Sequence, residues 1–256
     1  MVLTEYKSPQ EIKHSLGDAK RVAVFSCAGC ANMNKVGGRR GLRFVREQLQ
    51  LWGYEVVVAK TPVGCCSSAV MEQAIKAWIE PKRSQIDALV QVSCGAGIKN
   101  VNHFIPGLRI VAAADPVGVE TLLPHGAYFS DHGDDLVAYG LCSPCGHCVL
   151  SFTTGICPYV ECASKSLYGP CEKAPGEGES RRCRVGAERE CVWRIIEERG
   201  GDLESLKELE RLHSDDGYER IPSIAREQSA DLKFKTVGFI GARVLAPFAD
   251  VVHWIR

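Results

Sequence analysis

Residues 21–30 read RVAVFSCAGC, a short β-branched run that ends in two cysteines. A run of this length and composition is expected to be a buried strand. Working outward, EVVVAK (55–60), ALVQVS (88–93) and LRIVAAA (108–114) repeat the pattern. The intervening segments have helical spacing. In GLRFVREQLQLWG, Leu42, Val45, Leu49 and Trp52 share a face, and Gly53 suits a C-terminal cap. Met71, Ile75 and Trp78 form a second stripe that stops at Pro81. Ile98, Val101 and Ile105 form a third, ended by Pro106. Ser8, Pro9 and Glu11 supply an N-cap, a first-turn proline and a capping acid for a short leading helix. Strands alternating with helices imply a parallel sheet with right-handed crossovers. The expected class is therefore α/β, with a small Rossmann-like sheet domain over residues 1–135.

Cysteine is the unusual component, at 13 of 256 residues. Cys27 and Cys30 fall just past the first strand, Cys65 and Cys66 lie in TPVGCCSS after the second, and Cys94 lies in VSCGAG after the third. In a parallel sheet these are carboxyl ends, which open on the edge where α/β sheets bind ligands. Cys27, Cys30, Cys66 and Cys94 are expected to hold one [4Fe-4S] cluster, leaving Cys65 spare. Cys66 is preferred because it directly precedes a helix start, whose amide donors favour a thiolate. Buried structural cysteines are one alternative. A redox C-x-x-C is another, although the loop ANMNKVGG separates Cys30 from the next expected helix.

Beyond residue 135 the pattern changes. LCSPCGHC spaces Cys142, Cys145 and Cys148 as C-x2-C-x2-C, a triple that wraps three corners of a cubane and takes a distant fourth ligand. Zinc, which favours paired C-x2-C knuckles, is the alternative. Cys157, Cys162, Cys171, Cys183 and Cys191 bring the later cysteines to eight, or two sets of four. With the sheet-edge set the count suggests three [4Fe-4S] clusters. Spacing leaves open which distal cysteine completes the triple. Residues 136–192 are read as a cysteine-rich cluster module, too poor in apolar runs to build its own core. Two helices, CVWRIIEERG and DLESLKELERLH, follow the cysteines, and residues 193–256 are read as a helical extension. It ends in a stripe of Val244, Phe248, Val251 and Ile255, expected to dock a partner.

Composition removes several classes. Lys plus Arg and Asp plus Glu are both 31, so the net charge is zero and no basic excess exists for general nucleic-acid binding. The polar N-terminus lacks the apolar stretch of a signal peptide, which points to the cytoplasm and against disulfides. The longest uncharged stretch, 136–160, contains two prolines, three glycines and four cysteines, so no membrane span is expected. The seven histidines show no mutual ligand spacing, although His147 sits within LCSPCGHC. Gly37 and Gly38 suit either a phosphate cradle or a turn with positive φ. No persuasive acid–base pair marks a substrate site.

The stretch TTGICPYVECASKSLYGPCEKAPGEGESRRCRVGAERECVW (153–193) resembles the C-terminal module of methylenetetrahydrofolate reductase small subunits, the MetV type. The shared progression is Gly155–Pro158, Cys162, Gly169–Cys171, Arg182–Cys183 and Cys191–Trp193. LCSPCGHCVL, FSCAGC and VSCGAG also match, and the resemblance covers roughly residues 5–212. It departs after Cys171, where GPCEKA replaces the usual G-P-C-G-G. The resemblance implies a non-catalytic subunit of an oxidoreductase in one-carbon metabolism. Its partner would be a MetF-type TIM-barrel subunit that carries the flavin and interconverts 5,10-methylenetetrahydrofolate and 5-methyltetrahydrofolate. On this reading the clusters relay electrons between that flavin and an external donor, a further subunit being compatible with the role. Two other functions stay open: a zinc-binding subunit that scaffolds the reductase, and a thiol-dependent redox enzyme using Cys27 and Cys30.

Overall fold

The computed structural model describes residues 2–119, 142–176, 178–186 and 189–214. The domain boundary expected at residue 135 and the stripe from Val244 to Ile255 lie outside the described residues.

The first half alternates as its periodicity dictates. Strand β1 (Val2–Tyr6) precedes helix α1 (Pro9–Leu16), β2 (Arg21–Ser26), α2 (Cys30–Met33), α3 (Gly38–Leu51), β3 (Glu55–Lys60) and α4 (Ser68–Trp78). A 3₁₀ turn (Glu80–Gln85), β4 (Ala88–Val92), α5 (Gly95–Phe104), β5 (Arg109–Ala112) and β6 (Ala114–Val119) follow. Four strands form a parallel sheet in the order β3-β2-β4-β5. Its register pairs Val24 with Val90 and Leu89 with Ile110. Because side chains alternate along a strand, each face of the sheet receives its own core. Ala23, Phe25 and Leu89 pack with Met71, Ile75, Ile98 and Val101. Val22, Val24 and Val90 pack with Leu16, Val45 and Leu49. The chain runs from β2 outward to β3, then returns to place β4 on the other side of β2. The loops after β2 and β4 therefore diverge at a topological switch point, the crevice where α/β sheets place ligands.

Two sequence expectations need correction, and one strand was not foreseen. The run at 108–114 is not one strand: β5 ends at Ala112, and β6 starts at Ala114 in a second sheet. There it pairs antiparallel with β1, a strand the polar N-terminus did not suggest. ANMNKVGG is not wholly loop, because a helical turn begins at Cys30 itself.

The cysteine-bearing stretch folds onto this layer. The Ala112 amide donates to Ser151 Oγ (3.0 Å), the Gly146 amide to the Pro116 carbonyl (2.8 Å) and the Cys148 amide to Asp115 Oδ1 (2.8 Å). Helices α6 (Pro158–Glu161), α7 (Val192–Glu198) and α8 (Leu203–Ser214) complete the described chain. Val149, Phe152 and Ile156 share a third core with Trp193, Ile196, Leu206 and Leu209. The Trp193 indole N–H donates to the Ser166 carbonyl (3.2 Å), satisfying its buried polar tip. Among the described residues no helix is long and apolar enough to cross a membrane.

Candidate metal centres

The sheet edge gathers the first five cysteines. The Cys27 amide donates to the Val92 carbonyl (2.9 Å), tying the end of β2 to the end of β4. The Ala28 amide donates to the Pro62 carbonyl (2.8 Å), which draws in the loop carrying Cys65 and Cys66. Cys94 caps the start of α5. Gly38 has φ 64°, and its amide donates to the Cys27 carbonyl (2.9 Å). A Cβ on Gly37 would stand 2.4 Å from that same oxygen. The glycine pair therefore makes a tight turn against Cys27.

Within this group the Cys65 thiol is fully buried and hydrogen-bonded to Cys27. That bond, joined by the amides of Cys65, Gly29 and Ala31, draws the Cys27 thiol down to about 6 against opposing burial. Its donor, Cys65, is raised by the same bond and by burial. Burial lifts Cys94 to about 11, opposed by the Gly97 amide. The neighbouring Cys66, Cys30 and Cys27 thiolates add to the rise. Cys66 is exposed, and its thiol is raised by desolvation and by Cys27 and Cys30. The structure thus brings Cys27, Cys30, Cys66 and Cys94 together, and Cys65 with them.

Two small cavities gather the other eight. Cys142, Cys145, Cys148 and Cys157 line one, a narrow space of about 10 Å³, with Gly95, Leu150 and Leu167 in its walls. Cys162, Cys171, Cys183 and Cys191 line the other, also of about 10 Å³. Spacing left the partner of the triple open; the fold puts Cys157 beside it. Cys183 and Cys191 meet because their strands of chain run antiparallel, with Arg182 bridged to Glu190 and the Cys183 amide donating to the Arg189 carbonyl (2.9 Å). Desolvation raises Cys142, Cys145, Cys148 and Cys157 above the ordinary thiol range. Metal binding at this cavity would therefore release protons.

The three groups adjoin one another. A Cβ on Gly95 would lie 2.9 Å from Cys142 Sγ, so the sheet-edge group and the first cavity are separated by the thickness of a glycine backbone. Between the two cavities lies the single turn α6, with Cys157 at its N-terminal cap and Cys162 at its C-terminal cap. All thirteen cysteines are free thiols. Among the described residues no three His, Cys, Asp or Glu side chains are set to hold one metal ion.

Sequence reasoning missed a buried polar chain that adjoins the first cavity. Lys7 is ion-paired with Glu11 and with Asp115 (2.7 Å), all three side chains being essentially inaccessible. Asp115 Oδ1 also accepts the Cys148 amide. Glu11 Oε2 meets His213 Nε2 at 3.0 Å, and His213 Nδ1 lies 2.7 Å from the Tyr168 hydroxyl. Burial opposes ionisation of Glu11, but Lys7 and His213 together hold its carboxyl at about 2. A separate groove between α1, α5 and Arg199 has His14, His103 and Arg109 in its walls and no cysteine.

The family described as methylene-tetrahydrofolate reductase C terminal matches residues 129–219, the segment that carries both four-cysteine cavities. No curated protein matches the chain, and no solved structure does. The matched segment relates this chain to methylenetetrahydrofolate reductase.

Proposed function

We propose that the chain is an iron–sulfur electron-transfer subunit of a methylenetetrahydrofolate reductase complex, working with a flavin-bearing TIM-barrel catalytic subunit. The observation that carries this reading is the partition of eight cysteines into two cavities of four, contiguous with a five-thiol sheet edge. Each ligand of a cubane binds a different iron, so its thiolates surround a space and do not converge on one ion. Four thiols line each cavity, the number that a cubane takes. The proposed ligand sets are Cys27, Cys30, Cys66 and Cys94; Cys142, Cys145, Cys148 and Cys157; and Cys162, Cys171, Cys183 and Cys191.

When bound, such clusters supply one-electron chemistry. The protein's own contribution is placement and environment. Gly29, Ala31 and Gly97 aim amides at the sheet-edge sulfurs, favouring thiolate there. Asp115 fixes the Cys148 backbone, and buried Leu150 helps keep water from the first cavity. The abutting of the three groups suits a relay, while the partner would do the bond-making.

The test is anaerobic purification followed by iron and sulfide analysis. About twelve irons per chain, four for each cubane, are expected, with broad visible absorption that bleaches on dithionite addition. Cys66→Ser should remove about four irons and Cys65→Ser none. A colourless, zinc-loaded protein sinks the reading. Loss of iron only on Cys65→Ser would move the fourth sheet-edge ligand to that residue.

A further inference from the structure

The chain is electrically neutral overall, yet α3 carries Arg39, Arg40, Arg43 and Arg46 within eight residues, all exposed. Arg39, Arg43 and Arg46 recur at four- and three-residue steps and line one shallow groove with Leu42, Glu47 and Gln50, so they share a helix face. Among the described residues these four arginines form no ion pair, and Glu47 is the lone acid on that face. A helix that served only to cover the sheet would need no such row. Val45 and Leu49, on its other side, already anchor it in the core.

The position of the row matters. The first turn of α3 begins at the glycine pair packed on the Cys27 carbonyl, so Arg39 stands at the edge of the sheet-edge thiol group. The lip of that group is itself accessible. Cys66 is exposed, and Val63, in the same loop, is 75% exposed with its carbonyl against Gly29 of the FSCAGC loop. An exposed aliphatic side chain at the lip of a thiol group, with a row of like charges on the helix that starts from the same group, is the layout of a weak, steered encounter surface.

We propose that the Arg39–Arg43–Arg46 face of α3, together with Val63 and Cys66 at the lip of the sheet-edge group, is the docking surface for an acidic one-electron carrier protein that exchanges electrons with the sheet-edge centre. This rests on the iron–sulfur reading above. In the exchange one electron crosses from carrier to centre or back; the donor is oxidised by one, the acceptor reduced by one, and no covalent bond changes. Acidic carriers fit because the steering field is positive and local, whereas general nucleic-acid binding would want a basic excess that the chain lacks.

The experiment is stopped-flow mixing of the full, cluster-loaded chain with a reduced acidic ferredoxin, with dithionite reduction as a parallel arm. The wild-type second-order rate constant should fall steeply as ionic strength rises. The triple variant Arg39→Glu, Arg43→Glu, Arg46→Glu should be at least about tenfold slower at low salt and nearly salt-independent. Its dithionite-reducible absorbance and circular dichroism should be unchanged. The single variant Arg43→Glu should show a smaller loss in the same direction, which guards against a folding defect in the triple. Normal dithionite reduction with an unaltered ferredoxin rate in both variants overturns the docking proposal alone. Failure of wild-type protein to bleach with dithionite overturns the iron–sulfur reading, and the docking proposal with it. Retention on duplex DNA or anionic vesicles that disappears in the variants, with ferredoxin kinetics untouched, also overturns it.

Discussion

Residues 21–112 and residues 142–191 fill their interiors with different material. In the sheet layer, Val22, Ala23, Val24, Phe25, Leu89 and Val90 are wholly inaccessible, and helices cover both faces. In the cysteine region, buried apolar side chains other than cysteine are concentrated at the start: Val149, Leu150, Phe152, Ile156 and Pro158. Even the first four of these lean on Trp193, Ile196, Leu206 and Leu209 from the helices that follow, or on the sheet. From residue 163 to residue 190, Pro175 is the only buried residue among those described. Ordering such a segment costs roughly 1–2 kcal/mol per residue in backbone entropy, with little apolar burial to offset it. One region is therefore held by packing; the other packs little of its own, and under the proposed function metal–thiolate bonds would supply the difference.

The sharpest way to break this contrast is to remove the metal. Chelation or oxidative loss of clusters should open residues 163–190 to proteolysis while the sheet layer stays protected, since binding energy at such sites is also folding energy. Limited proteolysis with mass spectrometry reads the result. Equal protection of both regions after metal loss would abolish the distinction.

A smaller effect is expected at the seam. Lys7, Glu11 and Asp115 link β1, α1 and β6, and Asp115 in turn holds the Cys148 amide. Glu11→Ala leaves Lys7 and His213 buried with one fewer counter-charge and should cost about 3–5 kcal/mol, measurable by urea denaturation. Unlike metal loss, it should weaken both regions together. The same carboxyl predicts an acid dependence. Its folded value, about 2, lies below the ordinary 4.5, so the unfolded state binds the proton more readily. The stabilisation is complete above that ordinary value and is lost as pH falls through the folded value. Wild-type stability should thus drop more steeply than that of Glu11→Gln across this acid window; parallel curves would show that Glu11 is not the group responsible.

The smallest effect belongs to the sheet layer alone. Ser8 caps α1 by accepting the Glu11 amide (3.1 Å). Ser8→Ala should cost about 1 kcal/mol in chemical denaturation and leave the iron content untouched. A loss of iron would mean that α1 and the cysteine region are coupled more tightly than their packing suggests.

The sheet was legible because its signals are local. RVAVFS and EVVVAK are strands to the residue, and Ser8 and Pro9 open α1 as their chemistry requires. The β1–β6 ribbon was not, because ADPVGV contains a proline and a glycine that argue against a strand. It survives as one half of a two-stranded ribbon with a register shift between Leu3 and Thr4. At the candidate centres, the sheet-edge grouping followed from strand order. The division of the eight later cysteines did not, since Cys157 and Cys162 are near neighbours in sequence yet face different cavities. Nor could periodicity reveal the Lys7 chain, whose members Glu11, Asp115 and His213 are distant from one another along the sequence.

That separation of Cys157 from Cys162 makes α6 a ruler. Its one turn sets both the spacing and the angular offset between the two cavities. Adding or deleting a single residue between Pro158 and Glu161 would rotate everything beyond it by about 100° and shift it by about 1.5 Å. Substitutions on the solvent side of this turn are tolerable, but its length is not free to vary. The five-residue step from Cys157 to Cys162 is therefore set by the geometry of the turn.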